Sequence, residues 1–380
     1  MPIHTVEPQK FKPNCLPLLV GSLPMEDHLK ATRLMLDHTP DIPLWVQLPR
    51  HLEEGMVIQF SPEMPGLTRR ENKDVYINTA GDDFDQEVLS FYEDYLSTIE
   101  DPGLIETSRF ALTAETARGF LVFMETIAGL PHVPLAVKGQ VTGPITLGIG
   151  MKDQAGKLLF YDEQMRDIVT KQVAMKALWQ VSQLSRLGCV NPPIIFLDEP
   201  GVVGIGSSTY ISITREQVIE SLGACIDAIH LGGGVAGIHI CANGDWSLAL
   251  ESGTDIINFD AFSYFDRLIL YKEELKTFIN NGGILAWGIV PTSSPEYIDS
   301  ASTDSLYTMW LQQLEQLESM GLDRSMILEQ TLITPSCGTG SLSMEHAVKV
   351  LELTRDLSLK IREATLSKLH QFPSEKSHCF

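Results

Sequence analysis

The stretch GIHICANGDW, residues 237–246, places His239 and Cys241 two residues apart. In a β-strand, residues i and i+2 face the same side. An imidazole and a thiolate on one face are two of the ligands that zinc accepts. A second cysteine, Cys337, lies far downstream in the glycine-flanked stretch TPSCGTG, and Asp260 closes an apolar run in NFDAF. Nitrogen, sulfur and oxygen donors of these kinds suit a tetrahedral zinc site. His-x-Cys alone is a weak signal, because a buried cysteine is commonly small apolar filler. The additional cysteine in a glycine-flanked loop makes the set a candidate ligand group. Bound zinc would lower the pKa of a thiol, which is otherwise near 8.5 and mostly protonated at neutral pH.

Such a group needs elements that bring distant residues together. Eight apolar runs, at 16–22, 43–49, 134–143, 193–200, 235–244, 255–262, 283–290 and 326–340, alternate with helical patterns. The last run reads as strand in its first half and loop at its end. Helices are expected over about 25–38, within 84–129, through a long stretch ending near 187, and over 344–366. This alternation predicts an α/β fold, a (β/α)8 TIM barrel, over a doubly wound open sheet. Near-continuous apolar strands agree, since parallel strands are buried on both faces. His239, Cys241, Asp260 and Cys337 then fall at carboxyl ends of strands, where barrel sites assemble.

One barrel domain is expected over 15–366, after an extension at 1–14. A long insertion follows the second strand at about 50–83, where MVIQF and DVYIN flank a polar turn-rich stretch and suggest a hairpin. The polar tail at 367–380 reads as mobile, so its His378 and Cys379 hold no fixed ligand geometry. LGGGVAG precedes a strand instead of following one, so it reads as a helix stop and not a phosphate loop.

Lys and Arg total 28 against 49 Asp and Glu, a net charge of −21. That balance argues against electrostatic binding to nucleic acid or an anionic membrane. No apolar run is long enough for a transmembrane helix, and the first residues lack the apolar core of a signal peptide. A cytoplasmic location follows as an expectation. The six cysteines are then expected as thiols or metal ligands, with no disulfides. The sequence leaves a homo-oligomer open.

Several motifs occur in an order that resembles the C-terminal catalytic barrel of cobalamin-independent methionine synthase. That barrel superfamily also holds uroporphyrinogen decarboxylase and the corrinoid-linked thiol methyltransferases. The motifs are VGSLP at 20–24, VTGPITL at 141–147, FLDEPG at 196–201, HIC at 239–241 and PSCG at 335–338. The resemblance spans most of 15–365. It implies zinc held by His239, Cys241 and Cys337, with Asp260 where the family has a glutamate ligand. It also implies substrate binding by Ser22 and Asp198, with Asp198 acting in catalysis. Glu199 joins them as a candidate, although adjacent strand residues face opposite sides, so it reads equally as structural.

The implied activity is zinc-dependent methyl transfer to a small, homocysteine-like thiol, as in methionine biosynthesis. The chain has room for one barrel where the family has two. A methylated corrinoid protein is therefore the expected donor in place of folate. The competing readings are a uroporphyrinogen decarboxylase-like lyase, with Arg50 as an anchor for a polycarboxylate, and a non-catalytic small-molecule-binding barrel.

Overall fold

The computed structural model describes residues 11–70 and 74–369. Among the described residues there are nine strands: β1 (Leu16–Pro17), β2 (Leu67–Arg69), β3 (Val75–Ile77), β4 (Lys138–Thr142), β5 (Ile194–Asp198), β6 (Val235–Ile240), β7 (Ile256–Phe259), β8 (Ile284–Val290) and β9 (Thr331–Pro335). Seven of them form one parallel sheet in the order β1-β9-β8-β7-β6-β5-β4. Helices separate most of these strands in sequence, as right-handed parallel crossovers require.

The eight-stranded barrel of the sequence reading is thus seen as seven regular strands. The expected second strand, 43–49, makes only single bridges, Leu44 with Lys138 and Gln47 with Ser22. Its backbone still bonds on both sides, Trp45 N–H to the Lys138 carbonyl and Gln47 N–H to the Gly21 carbonyl. Pro43, Pro49 and Pro17 each lack a backbone donor, and Pro17 ends the two-residue β1.

Strands β4, β5, β7, β8 and β9 are buried at every residue, and β6 at all but its first. One sheet face meets the helices in a core that reaches from Cys15 to Ile361. The other face starts apolar, with Ala136, Ile194, Phe196, Ile256, Ala286 and Leu332. Two residues further along, the same face turns polar: Ala136 leads to Lys138, Phe196 to Asp198, Ile256 to Asn258 and Leu332 to Thr334. The strand period of two carries an apolar floor into a polar layer at the carboxyl ends.

Three expected elements differ. Met56–Phe60 is helix, not strand, and it directs Gln59 and Phe60 inward. The antiparallel pair in this region is instead β2 with β3. It is not isolated, since Ile77 is fully buried and bridges to Asp153. In the eighth run, Arg324–Glu329 is a helix capped by the Asp323 carboxylate on the Met326 N–H, and β9 follows it. The terminal helix runs to Leu369, three residues past its expected end. His378 and Cys379 lie outside the described residues. The five described cysteines are all free, and no described helix is long and apolar enough to cross a membrane.

Candidate metal centre

His239 is the fifth residue of β6, paired with Asp198 of β5 on one side and Asn258 of β7 on the other. Cys241 follows directly after β6, and Cys337 lies two residues beyond β9. The ligand atoms of His239, Cys241 and Cys337 all lie within 4.8 Å of one another. His239 is buried, and both cysteines are half-buried.

The His239 ring is set by its neighbour across the sheet. Asn258 Nδ2 donates to the Ala286 carbonyl at 2.8 Å and to Thr334 Oγ1 at 2.7 Å. That orientation leaves Asn258 Oδ1 as the acceptor facing His239 Nδ1. The proton therefore sits on Nδ1, and Nε2 carries a free lone pair. Nε2 is buried without a hydrogen-bond partner. A buried polar atom left bare beside two thiols is an unusual expense unless something binds there. The donor set and the fixed tautomer both fit zinc.

The two thiols polarise each other. The Cys337 hydrogen bond, joined by the nearby His239, pulls the Cys241 thiol well below its ordinary range against the effect of burial. Cys337 is pushed up by holding that proton and by burial. Burial works against a charged His239, but the charges of Cys241 and Asp198 and the Asn258 hydrogen bond raise its pKa overall.

The Cys337 loop is fastened on both sides. The Ser22 hydroxyl accepts from the Gly340 N–H at 3.1 Å, and its carbonyl accepts from Thr339 Oγ1 at 2.9 Å. A Cβ on Gly338 would sit 2.3 Å from Ser22 Oγ, so a larger residue there would displace the hydroxyl that holds Gly340. On the other side, Ser336 Oγ meets Thr292 Oγ1 at 2.9 Å. Ser22, expected at the substrate, serves here as a clamp on the loop that carries Cys337.

The remaining expected residues divide clearly. Asp198 lies on the polar layer, and its Oδ1 is buried without a partner. Burial raises its pKa, with Lys138 and His239 pulling the other way. Glu199 points elsewhere. Its carboxylate accepts from the N–H groups of Ile145 at 2.9 Å and Thr146 at 2.8 Å, and from Thr146 Oγ1 at 2.6 Å. Burial nonetheless raises its pKa to about 7. A Cβ on Gly143 would fall 2.2 Å from Glu199 Oε1, which explains the glycine of the TGP motif. TGP and DEP are two halves of one structural lock.

Asp260 is not within the three-residue cluster. Its Oδ1 accepts from the Ser263 N–H at 2.8 Å and caps the helix Ala261–Leu268. Burial lifts its pKa to about 6, the Ser263 hydrogen bonds oppose this, and the Cys241 charge adds to the rise.

Two residues on this layer escaped the sequence reading, Asn258 and Lys138. Lys138 is fully buried, and its Nζ donates to the Val20 carbonyl and, at 3.1 Å, to Gln140 Oε1. Burial lowers its pKa to about 8, while the Asp198 charge holds it up. Lys138, Asp198, His239, Asn258 and Thr334 line one small interior void. The signal in the sequence was a lysine inside an apolar run, AVKGQV.

No family model matches the chain, and no curated protein matches it in sequence. Its fold is similar to that of a B12-independent methionine synthase from Shewanella sp. W3-18-1, solved in complex with selenomethionine. The TM-score is 0.52 at 12% identity, over 93% of this chain and 99% of that one.

Proposed function

We propose that this protein is a methyltransferase that uses zinc held by His239, Cys241 and Cys337 to methylate a small thiol. The bare Nε2 of His239 beside two thiols, at the carboxyl end of a parallel sheet, carries this reading. The fold it shares with a methionine synthase supports the same chemistry. When bound, zinc would hold the substrate sulfur as thiolate and leave one exchangeable position for it.

The chain's own residues do the rest. Asn258 keeps the His239 lone pair turned to the cluster. Ser22 and Ser336 hold Cys337 in reach. Asp198 lies on the polar layer beside His239, and Glu199 secures the backbone of Ile145 and Thr146. Asp260 caps a helix at the rim through Oδ1, and its other oxygen is the one left to serve as a fourth ligand. In the transfer, the thiolate sulfur bonds to the methyl carbon. The bond from methyl to donor breaks, with its electron pair staying on the donor. The thiol proton leaves to solvent. The donor we propose is a methylated corrinoid protein, as the resemblance to the corrinoid-linked thiol methyltransferases implies.

Metal content tests the reading. Purified wild type is expected to hold about one zinc per chain, and Cys241→Ser and Cys337→Ser are expected to lose it. A wild type that stays metal-free after reconstitution would sink the proposal in favour of the lyase or binding-barrel alternatives.

A further inference from the structure

We infer that Arg215 is a positioning residue for Cys241, and that its ionic grip makes zinc affinity at the cluster sensitive to salt. The inference rests on the zinc-binding function proposed above and adds how one of its ligands is kept in place.

The two cysteine loops are fastened by different means. The Cys337 loop is held by neutral groups, Ser22 on Gly340 and Thr292 on Ser336. The Cys241 loop is held by charges. The β6 ladder ends at Ile240, paired with Phe259. Among the described residues, the chain is next pinned at Asp245, whose carbonyl accepts from the Leu248 N–H at 3.2 Å. Cys241 therefore lies in the short span 241–244 between two fixed points. Trp246 is fully buried, edge-on to Phe259 at 6.1 Å, and anchors the inner side of the turn that follows.

Arg215 grips the outer side. It is the first residue of the helix Arg215–Leu231, whose start is fixed by a capping box between Thr214 and Gln217. Its Nη1 donates to Asp245 Oδ2 at 3.3 Å and to Ser247 Oγ at 2.6 Å. Its Nη2 meets Glu251 Oε2 at 2.7 Å. One guanidinium fork thus joins the start and the end of the turn 245–251. Asp245 Oδ1 is engaged as well, by the N–H of Ser247 at 3.1 Å and by its hydroxyl. Arg215, Asp245 and Glu251 are 34%, 45% and 48% exposed, so salt reaches all three. Ions screen such contacts and leave hydrogen bonds between neutral groups nearly untouched. A ligand loop released on one side must be ordered again when metal binds, which weakens binding.

Zinc affinity is read by competition with a chromophoric chelator at fixed pH, in about 0.02 M and about 0.5 M potassium chloride. Each variant is compared with wild type at the same salt, which cancels the effect of salt on the chelator. Arg215→Met and Asp245→Asn are each expected to bind zinc about fivefold more weakly at low salt, a gap that closes to about twofold or less at high salt. The two changes shift the net charge in opposite directions, so a plain field effect on the zinc ion would drive them apart. Arg215→Lys, which keeps the charge and loses the fork, should fall between wild type and Arg215→Met. Ser22→Ala, on the neutral side, should show a gap that salt does not change. Wild-type affinity in both charge variants at low salt, a gap equal at the two salts, or opposite shifts in the two variants overturns the inference and leaves the metal centre standing. A wild type that binds no zinc overturns the metal reading and the inference with it. Should Arg215→Met fold poorly, Arg215→Gln removes the same charge and decides in its place.

Discussion

The two ends of the parallel sheet treat their polar groups differently. At the amino end, His230 and Asp255 meet at 2.7 Å, and Asp255 also accepts the Ala236 N–H at 2.8 Å. Both side chains are partnered and partly exposed. At the carboxyl end, His239 Nε2 and Asp198 Oδ1 are buried and bare. Other buried polar atoms lack partners too, Thr32 Oγ1 and Gln172 Oε1 among them, but His239 Nε2 and Asp198 Oδ1 lie together on one polar layer, where a single bound group could satisfy both.

That contrast can be broken from either end. The largest effect is expected from Asn258→Ala, which frees the His239 ring and its tautomer. Zinc affinity should fall by about 10- to 100-fold in a chelator competition, with little change in secondary structure by circular dichroism. Unchanged affinity would mean the ring is held by something else. Next comes Gly143→Ala, which drives a methyl group into Glu199. A loss of ~2–3 kcal/mol in urea unfolding is expected, from overpacking and a broken buried network. Ser22→Ala removes the acceptor for the Gly340 N–H and should cost ~1 kcal/mol. It should also weaken zinc less than Asn258→Ala does, because the Ser336 fastening remains.

The smallest effect belongs to the amino end. The hydrogen bond to the Asp255 carboxylate raises the His230 pKa above its ordinary 6.5, against partial burial. A raised folded-state pKa gives stability that is full below 6.5 and is lost as pH climbs through the folded value. Wild type should therefore soften slightly as pH rises above about 6.5, and His230→Gln should flatten that slope. Thermal melts across this window, run with and without zinc, would separate it from the site. A slope that depends on zinc would place its origin at the carboxyl end instead.

The cluster itself was legible in the sequence because its signals are local. His-x-Cys needs only strand alternation, and PSCG and TGP carry their glycines beside the residues they serve. Asn258 and Lys138 were not legible, because their meaning comes from register. Asn258 matters since β7 sets it opposite His239, and nothing near residue 258 states that pairing. The expected oxygen ligand Asp260 falls to a competing use that was written in the chain. An aspartate three residues before Ser263, at the mouth of a helical pattern, is an N-cap. The run at 43–49 misled for the opposite reason. Its apolar residues are buried as a strand's would be, and it bridges Lys138 on one side and Ser22 on the other, but without a regular ladder.

The clamp between Ser22 and Gly340 also bears on when the site can exist. Those residues are 318 apart in the chain. Closing so long a loop is slow, and contacts of such high sequence separation form late in folding. A ribosome-bound chain that has not yet emitted residue 337 offers only His239 and Cys241 to a metal. Zinc capture should thus trail collapse of the core during refolding, and its rate would time the arrival of the last strand.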